Sequence, residues 1–185
     1  MVSVSILTVA QELNTTRLKL RNWQAEDLPR WISMNSDPIT LRYFERTDTQ
    51  EESEASFERI KNFLELHEFG FWAVEEKETG NFMGFIGLSE KYIEGVSFTP
   101  CIEIGWRLDK EFWGRGYATE GALEVLKFGL ENLKIDQIYS YTARINTPSI
   151  NVMKKIGLIA RPELDFDHPK ISAGLPIRNH VVFST

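Results

Sequence analysis

Apolar and polar positions alternate from Arg17 to Trp23, with Leu18 and Leu20 set against Arg17, Lys19 and Arg21, the period of a half-buried strand. The period lengthens over Ala25–Asn35, where Leu28, Trp31 and Ile32 fall at i, i+3 and i+4, predicting a helix that Ser36-Asp37-Pro38 stops. Thr49–Glu68 reads as a second helix, polar on one face, with Ala55, Phe57, Ile60, Phe63 and Leu64 at helical spacing before Gly70. Phe71–Glu76 and Phe82–Leu88 form strands around Glu78-Thr79-Gly80-Asn81, a hairpin signal. After a loop through Gly95 and Pro100 comes the strand Cys101–Leu108.

The helix expected over Gly116–Asn132 lines one side with Ala118, Ala122, Val125, Phe128 and Gly129, opposite Glu120, Glu124, Lys127 and Glu131. Small residues at Ala118, Gly121 and Ala122 would let its first turns press on a sheet. Gln137–Ala143 is another strand. Thr147 is expected to cap a short helix with Pro148 in its first turn and Gly157 at its end. Leu158–Arg161 and His180–Phe183 are the last strand candidates. This order predicts a single α/β domain over residues 1–185, in which helices flank a mixed sheet and strands and helices do not alternate cleanly.

The chain has 185 residues, room for one well-buried domain, and 42% hydrophobic with 26% charged residues is an ordinary soluble composition. A net charge of −6 and the lack of any basic block argue against a nucleic-acid binder and fit a cationic or amine-bearing partner. One cysteine, Cys101, excludes an internal disulfide and reads as a small buried hydrophobe. Three histidines without metal spacing give no zinc site. Val2–Ala10 lacks the charged start of a signal peptide and no run is long enough to span a bilayer, so a cytoplasmic protein is expected.

The chemistry concentrates after Leu108. A charged connection, Asp109-Lys110-Glu111-Phe112, leads to Trp113-Gly114-Arg115-Gly116-Tyr117-Ala118-Thr119, and a helix opens out of that turn. Unpaired N–H groups and the helix dipole at such a junction suit a phosphate. A Walker loop is missing. The dinucleotide fingerprint fails at Thr119, which holds the place of its third glycine, and Asp136 precedes the strand whose end should carry the acid.

Trp113 through Glu120, preceded by Ile104-Gly105-Trp106 and followed by Asn146-x-x-Ser149 and Lys155-Ile156-Gly157-Leu158, resembles the GCN5-related N-acetyltransferases, the GNAT superfamily. The opening Thr16-Arg17-Leu18-x-Leu20-Arg21, with Asp27 and Ser36-Asp37-Pro38, is similar to the ribosomal-protein alanine acetyltransferase subgroup. The resemblance spans about residues 15–160. It implies a largely antiparallel mixed sheet in which two parallel strands, Cys101–Leu108 and Gln137–Ala143, splay to admit acetyl-CoA.

By that resemblance, the N–H groups of Trp113 through Thr119 hold the pyrophosphate and Arg115 adds a charge. Backbone groups near Trp106, Arg107 and Leu108 pair with the pantetheine and polarise the acetyl carbonyl. Asn146 and Asn151 are similar to family residues that bond the cofactor. The implied reaction is direct acetyl transfer to a primary amine, needing a base for the amine and an acid for the leaving thiolate. Many members carry a Tyr acid where this chain has Met153, and Leu158 replaces a usual Phe. Ser149 is the candidate replacement acid and also binds the cofactor. Glu103 is the candidate base, and His168 a candidate proton shuttle beside His180.

The acceptor is expected to be a protein N-terminus, with a polyamine, aminoglycoside or other small amine as the alternative. A non-catalytic acyl-CoA sensor is the competing reading, kept alive by the missing Tyr. The acidic run Glu51, Glu52, Glu54, Glu58, Glu65 and Glu68 would attract cations if it overhung the acceptor side. Family members often pair, implying a homodimer, and no nucleic-acid or membrane partner is expected.

Overall fold

Among the described residues, nine strands join in one sheet in the order β1-β2-β3-β4-β5-β6-β9-β7, with β8 also paired to β9. They belong to a computed structural model that describes residues 10–185. The Val2–Ala10 stretch therefore lies, but for Ala10, outside the described residues. The strands are β1 (Leu13–Asn14), β2 (Leu18–Arg21), β3 (Phe71–Glu76), β4 (Phe82–Lys91) and β5 (Cys101–Leu108). β6 (Ile138–Ala143), β7 (Ile159–Ala160), β8 (Phe166–Asp167) and β9 (Asn179–Ser184) complete the sheet. The helices are α1 (Leu28–Ser36), α2 (Gln50–Leu66), α3 (Tyr117–Lys127) and α4 (Thr147–Lys155). No helix among the described residues is long and apolar enough to cross a membrane.

Neighbouring strands are antiparallel except β5 and β6. That parallel pair registers only at Ile102↔Ile138 and Glu103↔Tyr139. From Ile104 onward the two strands part, as the resemblance implies. β5 keeps its full ladder to β4, while β6 keeps its own to β9.

The helices cover opposite faces. α3 lies against β4 and β5, with Gly121, Ala122 and Val125 buried. A Cβ on Gly121 would stand 2.5 Å from Ile86 Cδ1, so this position admits no side chain without movement. Directly opposed residues share a face, so Ile86 and its partner Trp106 face α3. Phe85 and Arg107 face the other layer, where Trp31 of α1 packs on Phe85 at 5.9 Å between ring centroids.

Several ends differ from the pattern. α3 continues to Asn132 as one wider turn. α4 is capped by Asn146, whose Oδ1 accepts the Ser149 N–H at 3.3 Å; Thr147 is already inside the helix. On α2, Thr49 caps reciprocally with Glu52, but Ala55 is exposed and Ser53 is buried in its stead, its hydroxyl donating back to the Thr49 carbonyl.

Candidate functional site

The loop between β5 and α3 is built for an anion. Gly114 and Gly116 have φ of +75° and +82°, a region that side chains with a Cβ rarely enter. Gly116 is the N-cap of α3. The main-chain N–H groups from Gly114 through Thr119 donate to no described residue; the next, from Glu120, closes the first helical bond to Gly116. Six consecutive free donors at a helix N-terminus form a ready cradle for phosphate oxygens.

This cradle closes one end of a cavity of about 530 Å³. Trp106, Arg107 and Leu108 of the open edge of β5 line it, as do Trp113, Gly114, Gly116, Tyr117, Ala118 and Thr119, with Asn146, Ser149 and Asn151 across the gap. Twelve of the thirteen expected cofactor residues are thus brought to one cavity. Arg115 is the one outside it, exposed, its carbonyl accepting from Arg17 Nη1 at 3.0 Å.

Three of the expected roles meet competition, the first that of the Trp113 N–H, which donates to the Lys110 carbonyl at 3.2 Å and so is not part of the cradle. The Leu108 carbonyl already accepts from Trp113 Nε1 at 2.7 Å. Asn146 spends Oδ1 on the Ser149 N–H and donates from Nδ2 to Thr142 Oγ1 at 2.9 Å. The Tyr117 hydroxyl is turned away to Glu76.

Residues the sequence reading did not single out hold the cradle. Glu120 accepts from the Arg17 backbone N–H at 2.8 Å, from Arg17 Nε at 2.7 Å and from Thr15 Oγ1 at 2.6 Å. With Arg17 also on the Arg115 carbonyl, the β1–β2 turn braces the loop from outside. The signal was present only as an unassigned Glu at the helix start.

A second cavity of about 760 Å³ adjoins the first on the α1–α2 side, sharing Tyr43, Phe44, Trp106, Arg107, Asn146 and Ser149 with it. Glu103, His168, His180, Tyr141 and Met153 line it. The three candidate proton-handling residues, Glu103, Ser149 and His168, are therefore on one cavity wall system. The acidic run of α2 is not: Ser56, Arg59, Ile60 and Phe63 are its lining residues, and Glu52 is paired with Arg46. The expected acidic overhang is a solvated face.

The protonation chemistry differs sharply along this cavity. Burial raises the Glu103 carboxyl to about 7, although Lys91 Nζ lies 3.5 Å away. A carboxylate poised there suits a base near neutrality. The Tyr141 hydroxyl is raised by burial and then by Glu103. Cys101 is raised to about 11, chiefly by burial, and is a thiol at neutral pH.

His168 is lowered to about 4 by burial, reinforced by His180, whose ring centroid is 5.1 Å away. A histidine held that low is neutral throughout the physiological range, which removes the basis for a shuttle near pH 7. The Ser149 hydroxyl makes no hydrogen bond among the described residues and lines both cavities.

Comparison with known proteins agrees with this geometry. A family model described as an acetyltransferase (GNAT) domain matches residues 17–159. The FsC-acetyl coenzyme A-N(2)-transacetylase of Aspergillus fumigatus is 30% identical over 152 residues, which are 79% of this chain and 64% of that protein. A GNAT-family acetyltransferase structure from Bacillus anthracis superimposes with a TM-score of 0.75 at 24% identity, covering 95% of this chain and 98% of that one. RimL, a ribosomal alpha-N-protein acetyltransferase solved in complex with coenzyme A, gives 0.74 at 13% identity, with 95% and 97% covered.

Proposed function

The chain belongs to the GNAT acetyltransferase family and is an acetyl-CoA-dependent acetyltransferase, and from that premise we propose that it acetylates the primary amine of a small molecule entering from the α1–α2 side. The observation that carries the site is the run of six free N–H groups opening onto the gap between β5 and β6. When bound, acetyl-CoA supplies an acetyl group activated as a thioester. The cradle from Gly114 to Thr119 would hold its diphosphate, and the unpaired edge of β5 near Trp106 would meet its pantetheine arm.

The chain's own residues then manage protons. Glu103, ionised above pH 7, takes the proton that makes the incoming ammonium a nucleophilic amine. The hydroxyl of Ser149, a residue common to both cavities and one with no hydrogen bond from that hydroxyl among the described residues, is the donor for the leaving sulfur. His168 stays neutral and shapes the wall.

A small acceptor is favoured by a bond beside the larger cavity, whose wall includes Glu45, Lys170 and Ile171. Ser172 Oγ donates to Glu45 Oε1 at 2.5 Å, and its N–H to Oε2 at 3.3 Å. The loop before β9 is thereby joined to the segment before α2, narrowing the route a protein tail would need. The amine acceptor of RimL, a ribosomal protein, supplies the second reading.

The test is release of free thiol from acetyl-CoA on adding a panel of small amines and an N-terminal peptide. Amine-stimulated release by small amines is the expected result. Release with the peptide alone would favour the second reading. Tight binding of acetyl-CoA without release would favour a sensor.

A further inference from the structure

Arg107 is a half-buried guanidinium, its Nε fully enclosed, with no counter-ion among the described residues. Its Nη1 donates to Asn35 Oδ1 at 2.6 Å, and that is its one hydrogen bond among the described residues. Nε is shut off from solvent with no partner, and no carboxylate of the described residues lies within ion-pair distance. Its other near neighbours are aromatic faces: Phe44 at 4.5 Å, Trp31 at 5.6 Å and Phe85 at 5.7 Å. Arg21, a fully buried arginine, is by contrast bidentate with Asp27 and also bonded to Glu75. The contrast shows in their protonation: Arg21 is raised, whereas burial lowers Arg107 to about 10, opposed only by the field of Asp48.

Burying an unpaired charge is costly, and a space-filling role would be served as well by methionine or leucine. The planar fork of an arginine matches a carboxylate through two parallel N–H donors. Arg107 lines the larger cavity on the same face of β5 as Glu103, four residues away and roughly 13 Å between Cα atoms. Between them Gly105 puts no side chain on the floor.

Resting on the amine-acetylating reading above, we propose that Arg107 is a specificity-determining residue that receives a carboxylate of the acceptor. The substrates are then small amines that also carry a carboxylate, amino acids and ω-amino acids, with the amine at Glu103 and the carboxylate at Arg107.

The experiment measures kcat/KM by thiol release for glycine through 6-aminohexanoate and for lysine, each beside its carboxamide, with a peptide amide as a further acceptor. The expected result is at least a tenfold preference for the acid over the amide at one chain length. Arg107→Met should collapse that ratio to within twofold, and Arg107→Lys should leave it intermediate. Thermal shift with acetyl-CoA establishes that each variant is folded and binds. Equal turnover of acids and amides by the parent chain overturns the proposal, as does a ratio that survives in Arg107→Met. Turnover of the peptide amide alone overturns it while leaving acetyl transfer standing. Release with none of these amines, while acetyl-CoA still raises Tm, sinks both.

Discussion

Lys91 Nζ stands 3.5 Å from Glu103 Oε2, yet the carboxyl remains near 7 instead of falling below its ordinary range. The lysine sits at the far end of β4, opposite Cys101 and two pairs along from Glu103, on the same face. Its attraction is outweighed by the loss of water around a side chain only 14% exposed. The consequence is a carboxylate that changes charge where an amine acetyltransferase needs a base.

Activity should therefore rise with pH through about 7 as Glu103 ionises. Glu103→Gln should lower kcat by 10²–10⁴-fold, the usual worth of a positioned base, and flatten that limb of the profile. A near-normal, unshifted profile in the variant would remove Glu103 from the chemistry.

The same shift makes a stability prediction. The folded carboxyl holds its proton more tightly than the unfolded one, at about 7 against 4.5. The stabilising contribution of that proton is complete below 4.5 and is lost as pH rises through 7. Glu103→Gln should then raise Tm relative to the parent at pH 8 and leave the two alike at pH 4, by thermal scans in matched buffers.

Ser149→Ala should reduce kcat with little change in the KM for acetyl-CoA, since the Ser149 backbone N–H, not its hydroxyl, is what Asn146 caps. Stability should hold within about 0.5 kcal/mol, as the hydroxyl supports no fold contact. A pre-steady-state measurement of the chemical step decides it: an unaltered rate there excludes Ser149 as the acid.

Gly116→Val forces a β-branched residue to φ +82° at the cap of α3, a strain of about 1–2 kcal/mol. The added Cβ would meet nothing closer than Arg17 Nη2 at 3.6 Å, so the chain should still fold. The cradle would not keep its shape, and calorimetric heat on adding coenzyme A should vanish. Retained binding would locate the diphosphate elsewhere.

Gly121→Val probes the seat of the same helix. Its side chain would enter the space of Ile86, and overpacking of this kind costs about 1–3 kcal/mol. Urea unfolding should show a lower midpoint with an unchanged slope.

The strands and helices were legible because periodicity is a local property. Leu18 and Leu20 alternate and are both fully buried; Ala122 and Val125 recur at helical spacing and both pack under α3. Phe71–Glu76 and Cys101–Leu108 occur with the expected bounds. β1 and β8 were not legible, since a two-residue strand has no period to detect and exists only through its partner. Asn146 and Thr147 are both good caps, and the choice between them turned on which residue first took helical backbone angles.

The site divides along the same line. The glycine loop and the order of motifs around it are chain-local, so twelve of the cofactor residues could be named from the family resemblance those motifs carry and are found around one cavity. Sequence likewise determined that Glu103, Gly105 and Arg107 share a face of β5, because side chains alternate along any strand. Only the tertiary structure decided which layer that face meets. Arg107 reaches Asn35 across 72 residues and Arg17 reaches Glu120 across 103, so neither contact exists until the sheet is assembled. Burial that lifts one carboxyl to about 7, pushes one histidine to about 4 and leaves one guanidinium unpaired comes from the assembled surroundings, which no stretch of chain contains by itself.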